Sequence, residues 1–286
     1  MVTLLLTVAC KSNDSDRELP AASVPVTRSA SVSAAPAVSA SAAPKASPEK
    51  VQALPPPPRI GVNGGYRTTD VSETLAFIIR SHGGEPVRLL ATKPRDTLKG
   101  KDVQGLILVG GMDINPTAYG EATVHESVNI TTPARQVHDF ALYREAKAAG
   151  IPVLGYGLGA QEIWVLEGGK LHQDMVADGQ PDHKMVQHEL QIERPLQGFL
   201  AGEQRVIVKC NHHQGFKLPV PPTLQVVAWA PAVPEIGANE RVPEAIMTKQ
   251  QGWFCVGTQF LLGRNQYSED LVVSLIDAAK ARQARK

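Results

Sequence analysis

The chain has 286 residues, enough for one large domain or two small ones, and its 43% hydrophobic share is enough for a sizeable core. A net charge of +1 gives no footing for nucleic acid or a strongly acidic partner. The three cysteines are too few for a disulfide scaffold and their spacing fits no zinc pattern, so neither a metal nor a cofactor is expected.

The first ten residues, "MVTLLLTVAC", form an apolar run that ends in small residues and Cys10. This resembles the end of a bacterial lipoprotein signal peptide, which implies lipidation of Cys10 and a membrane anchor. The segment departs from that pattern: it has no basic front, its apolar run falls short of the usual length of about 7–15 residues, and Thr7 replaces an expected Leu, Val or Ile. A start codon further upstream would supply the missing front; a frayed apolar tail is the alternative. From Lys11 to Pro58 the composition is dominated by Ser, Ala, Pro and Val, with almost no large apolar residue and no helical or strand period. Such a segment cannot offset the entropy of ordering and is expected to be a disordered tether, stiffened by the polyproline run Pro55–Pro58. The expected organisation is therefore a signal-type segment over 1–10, a tether over 11–58 and a folded domain over 59–286. It implies a location in the bacterial cell envelope, on the periplasmic side of the outer membrane in a Gram-negative host, because Lys11 rather than Asp follows the cysteine.

The domain opens with "RIGVNGG", a strand running into a glycine turn. Asp70–His82 reads as a helix with Leu75, Ile78 and Ile79 on one face and Gly83-Gly84 as its stop. "PVRLLAT", "GLILVGG" and "IPVLGYG" are short apolar runs typical of strands buried on both faces. Between them, Arg135–Ala149 reads as a helix with Val137, Phe140 and Ala141 at helical spacing; Leu158–Leu166 reads as the next. Strands alternating with helices predict a mostly parallel central sheet with helices on both faces. After about Gln180, "HELQIE", "QRVIVKC", "LQVVAWA", "EAIMTKQ" and "WFCVGTQF" predict antiparallel strands added in the C-terminal half. Ser268 is the expected cap of the last helix. Acidic Glu269 and Asp270 lie at its start, and basic Lys280, Arg282, Arg285 and Lys286 toward its end.

Four segments occur in order: "GLILVGGMDINPTAYGE", "PVLGYGLGAQ", "EGGKLHQDM" and "HHQ". Together they resemble the class I glutamine amidotransferase-like family, in particular its γ-glutamyl hydrolase branch, peptidase C26, over roughly Arg59 to the C-terminus. The resemblance implies a flavodoxin-like α/β fold and a cysteine nucleophile on a strand-to-helix elbow, with a His and a Glu supplied later in the chain. Matching the motifs puts Gly157 at the Cys position, Leu261 at the His position and Gly263 at the Glu position. Covalent catalysis needs nucleophile, base and orienting group together, so the resemblance implies a domain without the family's triad.

A binding role is the companion expectation. Gly110, Gly111 and Leu158 match the family's oxyanion-hole backbone, and Gln161, His212, His213 and Gln214 match residues near its substrate site. The expected partner is a small amino-acid or γ-glutamyl-like ligand, or a protein. The enzyme alternative is a γ-glutamyl amide hydrolase with an unusual site in which Cys210, beside the two histidines of "CNHHQ", is the nucleophile. Adjacent histidines on a strand face opposite ways, so at most one could serve Cys210. A Cys210–Cys255 disulfide is a further open alternative in an exported protein. Asp182, His183 and His188 match no ligand pattern and read as loop polarity.

Overall fold

The computed structural model describes residues 55–64, 69–91, 95–194, 203–262 and 266–285. Cys10, the Ser/Ala/Pro-rich segment before Pro55, and Gly263 lie outside the described residues. In chain order the strands are β1 Arg59–Asn63, β2 Glu85–Leu89, β3 Gly105–Leu108, β4 Val153–Tyr156, β5 Lys170–His172, β6 His183–Ile192, β7 Arg205–His212, β8 Gly215–Lys217, β9 Leu224–Ala230, β10 Val242–Thr248 and β11 Cys255–Thr258. The helices are α1 Thr69–Ser81, α2 Pro133–Ala149, α3 Leu158–Leu166 and α4 Gln266–Gln283.

Nine strands form one mixed sheet in the order β2-β1-β3-β4-β11-β10-β9-β6-β7. The pairs from β2 to β11 are all parallel. Those from β11 to β7 are all antiparallel. The apolar runs form the parallel half because helices cover both of its faces. Successive residues of β3 alternate between two cores: Ile107 packs with Leu75 and Ile79 of α1 and Leu275 of α4, while Leu106 and Leu108 pack with Leu142 of α2 and Ile163 of α3. The antiparallel half curls, since the Leu261 N–H, beyond β11, donates to the Lys209 carbonyl of β7 at 2.9 Å.

Three local expectations are corrected. Helix α2 buries His138, Asp139, Leu142, Tyr143 and Ala146, whereas Val137 is 49% exposed. The buried face is rotated because its polar members have partners: His138 Nε2 donates to the Asp96 carbonyl at 2.8 Å, and Asp139 accepts from Arg135 Nε at 3.0 Å. Helix α4 starts at Gln266, so Ser268 lies inside its first turn instead of capping it. His183 and His188 belong to β6, with His183 buried, and are not loop residues.

Helix α3 docks closely on the strands beneath it. A side chain at Gly159 would place its Cβ 2.2 Å from the Leu108 carbonyl oxygen of β3, a contact that backbone cannot relieve. Ala in place of Gly inside a helix ordinarily stabilises by about 0.5–1 kcal/mol. Gly159→Ala should instead destabilise by about 1–3 kcal/mol or prevent folding, as overpacked substitutions do. Urea unfolding measures this, and a gain in stability would show that α3 can lift off the sheet.

Candidate functional site

The site is built at the carboxyl ends of β3 and β4, where open α/β sheets bind their ligands. Strand β4 ends at Tyr156, and the chain turns at Gly157 directly into α3. Gly157 has φ 53° and ψ −120°, a backbone conformation that L side chains rarely adopt. Its N–H donates to the Thr258 carbonyl of β11 at 2.8 Å, so the corner is tied to the neighbouring strand. A sharp strand-to-helix turn of this kind holds the nucleophile in elbow-type hydrolases. Here its central residue has no side chain.

Gly110 and Gly111 follow β3 on the adjoining loop. Gly110 Cα lies 3.4 Å from where a Cβ on Gly157 would stand, and Gly111 lies against Leu158 and Arg135. Arg135 holds this loop: Nη2 donates to the carbonyls of Val109 and Gly110, both at 3.0 Å, while Nε pairs with buried Asp139. Leu158 is the first residue of α3, so its N–H has no intrahelical acceptor. Gly110, Gly111, Gly157 and Leu158 therefore lie together as one backbone cluster, a cradle beside the corner.

The side chains expected around this cradle make contacts within the protein. Gln161 Nε2 donates to the Gln214 carbonyl at 3.0 Å and approaches Gln259 Oε1 at 3.4 Å. His212 Nδ1 donates to the same Gln214 carbonyl at 2.9 Å. Gln259 Nε2 donates to the Pro243 carbonyl at 2.9 Å and lies 3.5 Å from Glu244 Oε1. Gln161, His212, Gln214, Gln259 and Glu244 are all buried, and together they form a polar chain from α3 into the antiparallel half. His213 turns the other way, to Asp113 Oδ2 at 2.9 Å and Asp174 Oδ2 at 3.6 Å. The hydrogen bond that His213 donates to Asp113 raises the His213 pKa.

Glu244 is fully buried in β10, where the pairing with β9 is bulged between Pro243 and Ala245. His183 Nδ1 lies 2.9 Å and His212 Nε2 3.4 Å from its Oε1. Burial alone would raise the Glu244 pKa, but His212 and His183 hold it well below the usual carboxylate range. The same carboxylate raises His212 against the opposing effect of burial.

Cys210 lies beside this pair. Its thiol is 3.0 Å from His188 Nε2 and 3.8 Å from Glu244 Oε2, with no exposed surface. His188 Nδ1 faces the Glu189 carbonyl, which can only accept, so in the neutral ring Nε2 accepts the thiol proton. The thiol–imidazole distance suits a Cys/His pair, but burial first, and Glu244 second, push the Cys210 pKa far up. Cys210 and Cys255 are both free and pack in different cores, so the disulfide alternative is not realised.

Leu261 is 37% exposed and lines a depression of about 220 Å³ with Ile207, Lys209, Phe260 and Tyr267. A larger depression, about 440 Å³, lies among Leu98, Glu145 and Arg282. Neither is lined by a residue of the elbow. Sequence reasoning missed Arg135, Gln259 and Glu244. A signal for Glu244 was available: it is the one charge in the apolar run "VPEAIM". Cys210 and His212 are two apart on a strand and so share a face.

This architecture is that of the class I glutamine amidotransferases. The fold matches the crystal structure of a glutamine amidotransferase from Thermotoga maritima with a TM-score of 0.54 and 16% identity, covering 80% of this chain and 99% of that one. The peptidase C26 profile matches residues 62–261, and the chain belongs to that family. Among curated relatives, a Mycobacterium tuberculosis protein named as a glutamine amidotransferase is 40% identical over 73 residues, 26% of this chain and 23% of its own length. A glutamine amidotransferase-like YvdE homolog from Lactococcus lactis subsp. cremoris is 30% identical over 123 residues, 40% of this chain and 64% of its own. The matched part is thus less than two thirds of either relative.

The corner geometry gives a direct test. A side chain at Gly157 meets only an ordinary contact with Gly110, so its cost is the backbone conformation, about 1–3 kcal/mol. Gly157→Ala and Gly157→Cys should therefore destabilise by similar amounts in that range, measured by denaturant unfolding. Unchanged stability in both would mean that the corner relaxes to an ordinary conformation.

Proposed function

We propose that this protein is a catalytically inactive member of the γ-glutamyl hydrolase branch, held at a membrane by its N-terminus and binding a small carboxylate or amide ligand, or a protein, at the elbow. The observation that carries the reading is Gly157. The corner keeps a conformation typical of a strained nucleophile position, yet the residue has no group to attack with. In the motif alignment the base position is Leu261, which neither accepts nor donates a proton, and the orienting position is Gly263. Without a triad, elbow-type catalysis falls to about 10³–10⁴ over the water reaction, far below a working hydrolase. The backbone cradle does not depend on side chains, which supports a binding role for Gly110, Gly111 and Leu158.

The enzyme alternative would use Cys210 with His188. The 3.0 Å approach favours it; the complete burial of the thiol opposes it, since no substrate carbonyl can reach the sulfur without local opening. Incubation with γ-glutamyl peptides and glutamine, followed by mass spectrometry, should reveal no turnover in the unmodified protein or in Gly157→Cys. Turnover that disappears in Cys210→Ala would overturn the inactive reading. A thermal-shift screen with glutamate, glutamine and γ-glutamyl dipeptides should raise Tm for at least one of them. The absence of any shift would remove the small-ligand role.

The membrane proposal rests on Cys10 and the segment behind it. In a bacterial host, palmitate label on the full-length protein should follow Cys10 and vanish in Cys10→Ser. Label retained in that variant would end the idea of a lipid anchor at this residue.

A further inference from the structure

We propose that His183, Cys210, His212 and Glu244 form a structural zinc site. One potential ligand atom from each lies within 4.8 Å of the others, and all four residues are buried. The set combines two imidazoles, a thiol and a carboxylate, the mixed nitrogen, sulfur and oxygen donors that zinc accepts. No part of the proposal depends on whether the elbow is active.

Several of the donor separations are close to tetrahedral edges. With bonds of about 2.0–2.1 Å to nitrogen or oxygen and about 2.3 Å to sulfur, tetrahedral edges are about 3.3–3.4 Å between the lighter donors and about 3.6 Å to sulfur. His183 Nδ1 to His212 Nε2 is 3.4 Å, and His212 Nε2 to Glu244 Oε1 is 3.4 Å. Cys210 Sγ to Glu244 Oε2 is 3.8 Å. Of these separations, His183 Nδ1 to Glu244 Oε1, at 2.9 Å, would widen by about 0.4 Å on the same bond lengths, and donors lying up to 4.8 Å apart would draw in around the ion.

Backbone register brings the donors together. Cys210 and His212 alternate on β7 and so share a face, and His183 stands directly across from His212 in the β6–β7 register. Glu244 enters from the β10 bulge. An outer set of contacts is present as well. The Gln214 carbonyl accepts from His212 Nδ1, leaving Nε2 for the cluster, and Gln259 approaches the Glu244 carboxylate. His188 stacks on His183 with ring centroids 4.3 Å apart and contacts the Cys210 sulfur.

Four protein ligands with no open position make a structural rather than a catalytic centre. Strands β10 and β6 are not neighbours, since β9 lies between them. An ion here would therefore join strands that backbone hydrogen bonds do not, closing the curl of the antiparallel half. Binding would displace the proton from the thiol and any proton held between the imidazoles and the carboxylate.

The full chain, treated with EDTA and then given Zn²⁺, should take up one equivalent by elemental mass spectrometry, and its Tm should rise by several degrees over the metal-free form. Co²⁺ in place of Zn²⁺ should give a thiolate-to-cobalt charge-transfer band, lost in the near-isosteric Cys210→Ser, and Glu244→Gln should weaken zinc binding at least tenfold. The proposal is overturned if the EDTA-treated chain is equally stable with and without Zn²⁺ and takes up less than a tenth of an equivalent. It is overturned equally if the cobalt spectrum is the same in Cys210→Ser. Should either variant fail to fold, stoichiometry, Tm and the thiolate band of the unmodified chain decide the matter.

Discussion

The strand-to-helix corner at Gly157 is the constraint on which the site depends. Strand β4 lies in the middle of the sheet, paired with β3 on one side and β11 on the other. Its last residue must hand the chain to a helix that packs back over those strands, and the handover has no room to be gradual. The steric demand at Gly159 shows how close α3 lies to β3. With the helix so near, one residue absorbs most of the change of direction, and it does so at positive φ. The glycine loop after β3 then comes to lie beside the corner, secured by Arg135. The closeness of the loop to the corner is a consequence of the packing.

A second polar centre sits in the antiparallel half, organised by Glu244. A carboxylate with no exposure is costly unless it is paired, and removing one partner of a buried pair typically costs about 3–5 kcal/mol. His183 and His212 supply that pairing from β6 and β7. The two centres are not independent. Gln161 reaches from α3 to the Gln214 carbonyl, which also holds His212, and Gln259 stands between Gln161 and Glu244. Gln259 directly follows β11, whose Thr258 holds the corner. Polar contacts of 2.8–3.5 Å thus run from the elbow to the buried carboxylate, joining the parallel and antiparallel halves of one sheet.

The parallel half is legible in the sequence because its signals are local. Apolar runs such as "GLILV" need burial on both faces, and the glycines of "GYGLGAQ" mark a turn tighter than a side chain permits. The buried face of α2 is less legible. His138 and Asp139 are polar, and only the Asp96 carbonyl and Arg135, supplied by the fold, make their burial tolerable. The Glu244 cluster is harder still. Its four members are spread over 62 positions from His183 to Glu244, and two backbone irregularities help to bring them together: the bulge at Pro243/Ala245 and the shift between His183 and Val186, where Met185 has φ 53°. A ligand pattern read by spacing assumes regular strands, and these strands are regular only in part.

A corner without a side chain at one position and a thiol at another invite the idea that the thiol carries chemistry in this domain. The physical conditions at the two places argue otherwise. A working cysteine nucleophile needs exposure to substrate, a neighbour that favours the thiolate, and donors for the developing oxyanion. The elbow offers the cradle and a helix N-terminus that favours negative charge, but no sulfur. Cys210 has sulfur and an imidazole, but it is sealed in the core beside an ionised carboxylate that disfavours the thiolate. What the Cys210 environment does favour is a cation, because imidazole nitrogens, a carboxylate and sulfur converge, and among the described residues the ion pairs of Glu244 are those with His183 and His212. The same negative surroundings that disable the thiol as a nucleophile therefore make it a good fourth donor to a metal ion.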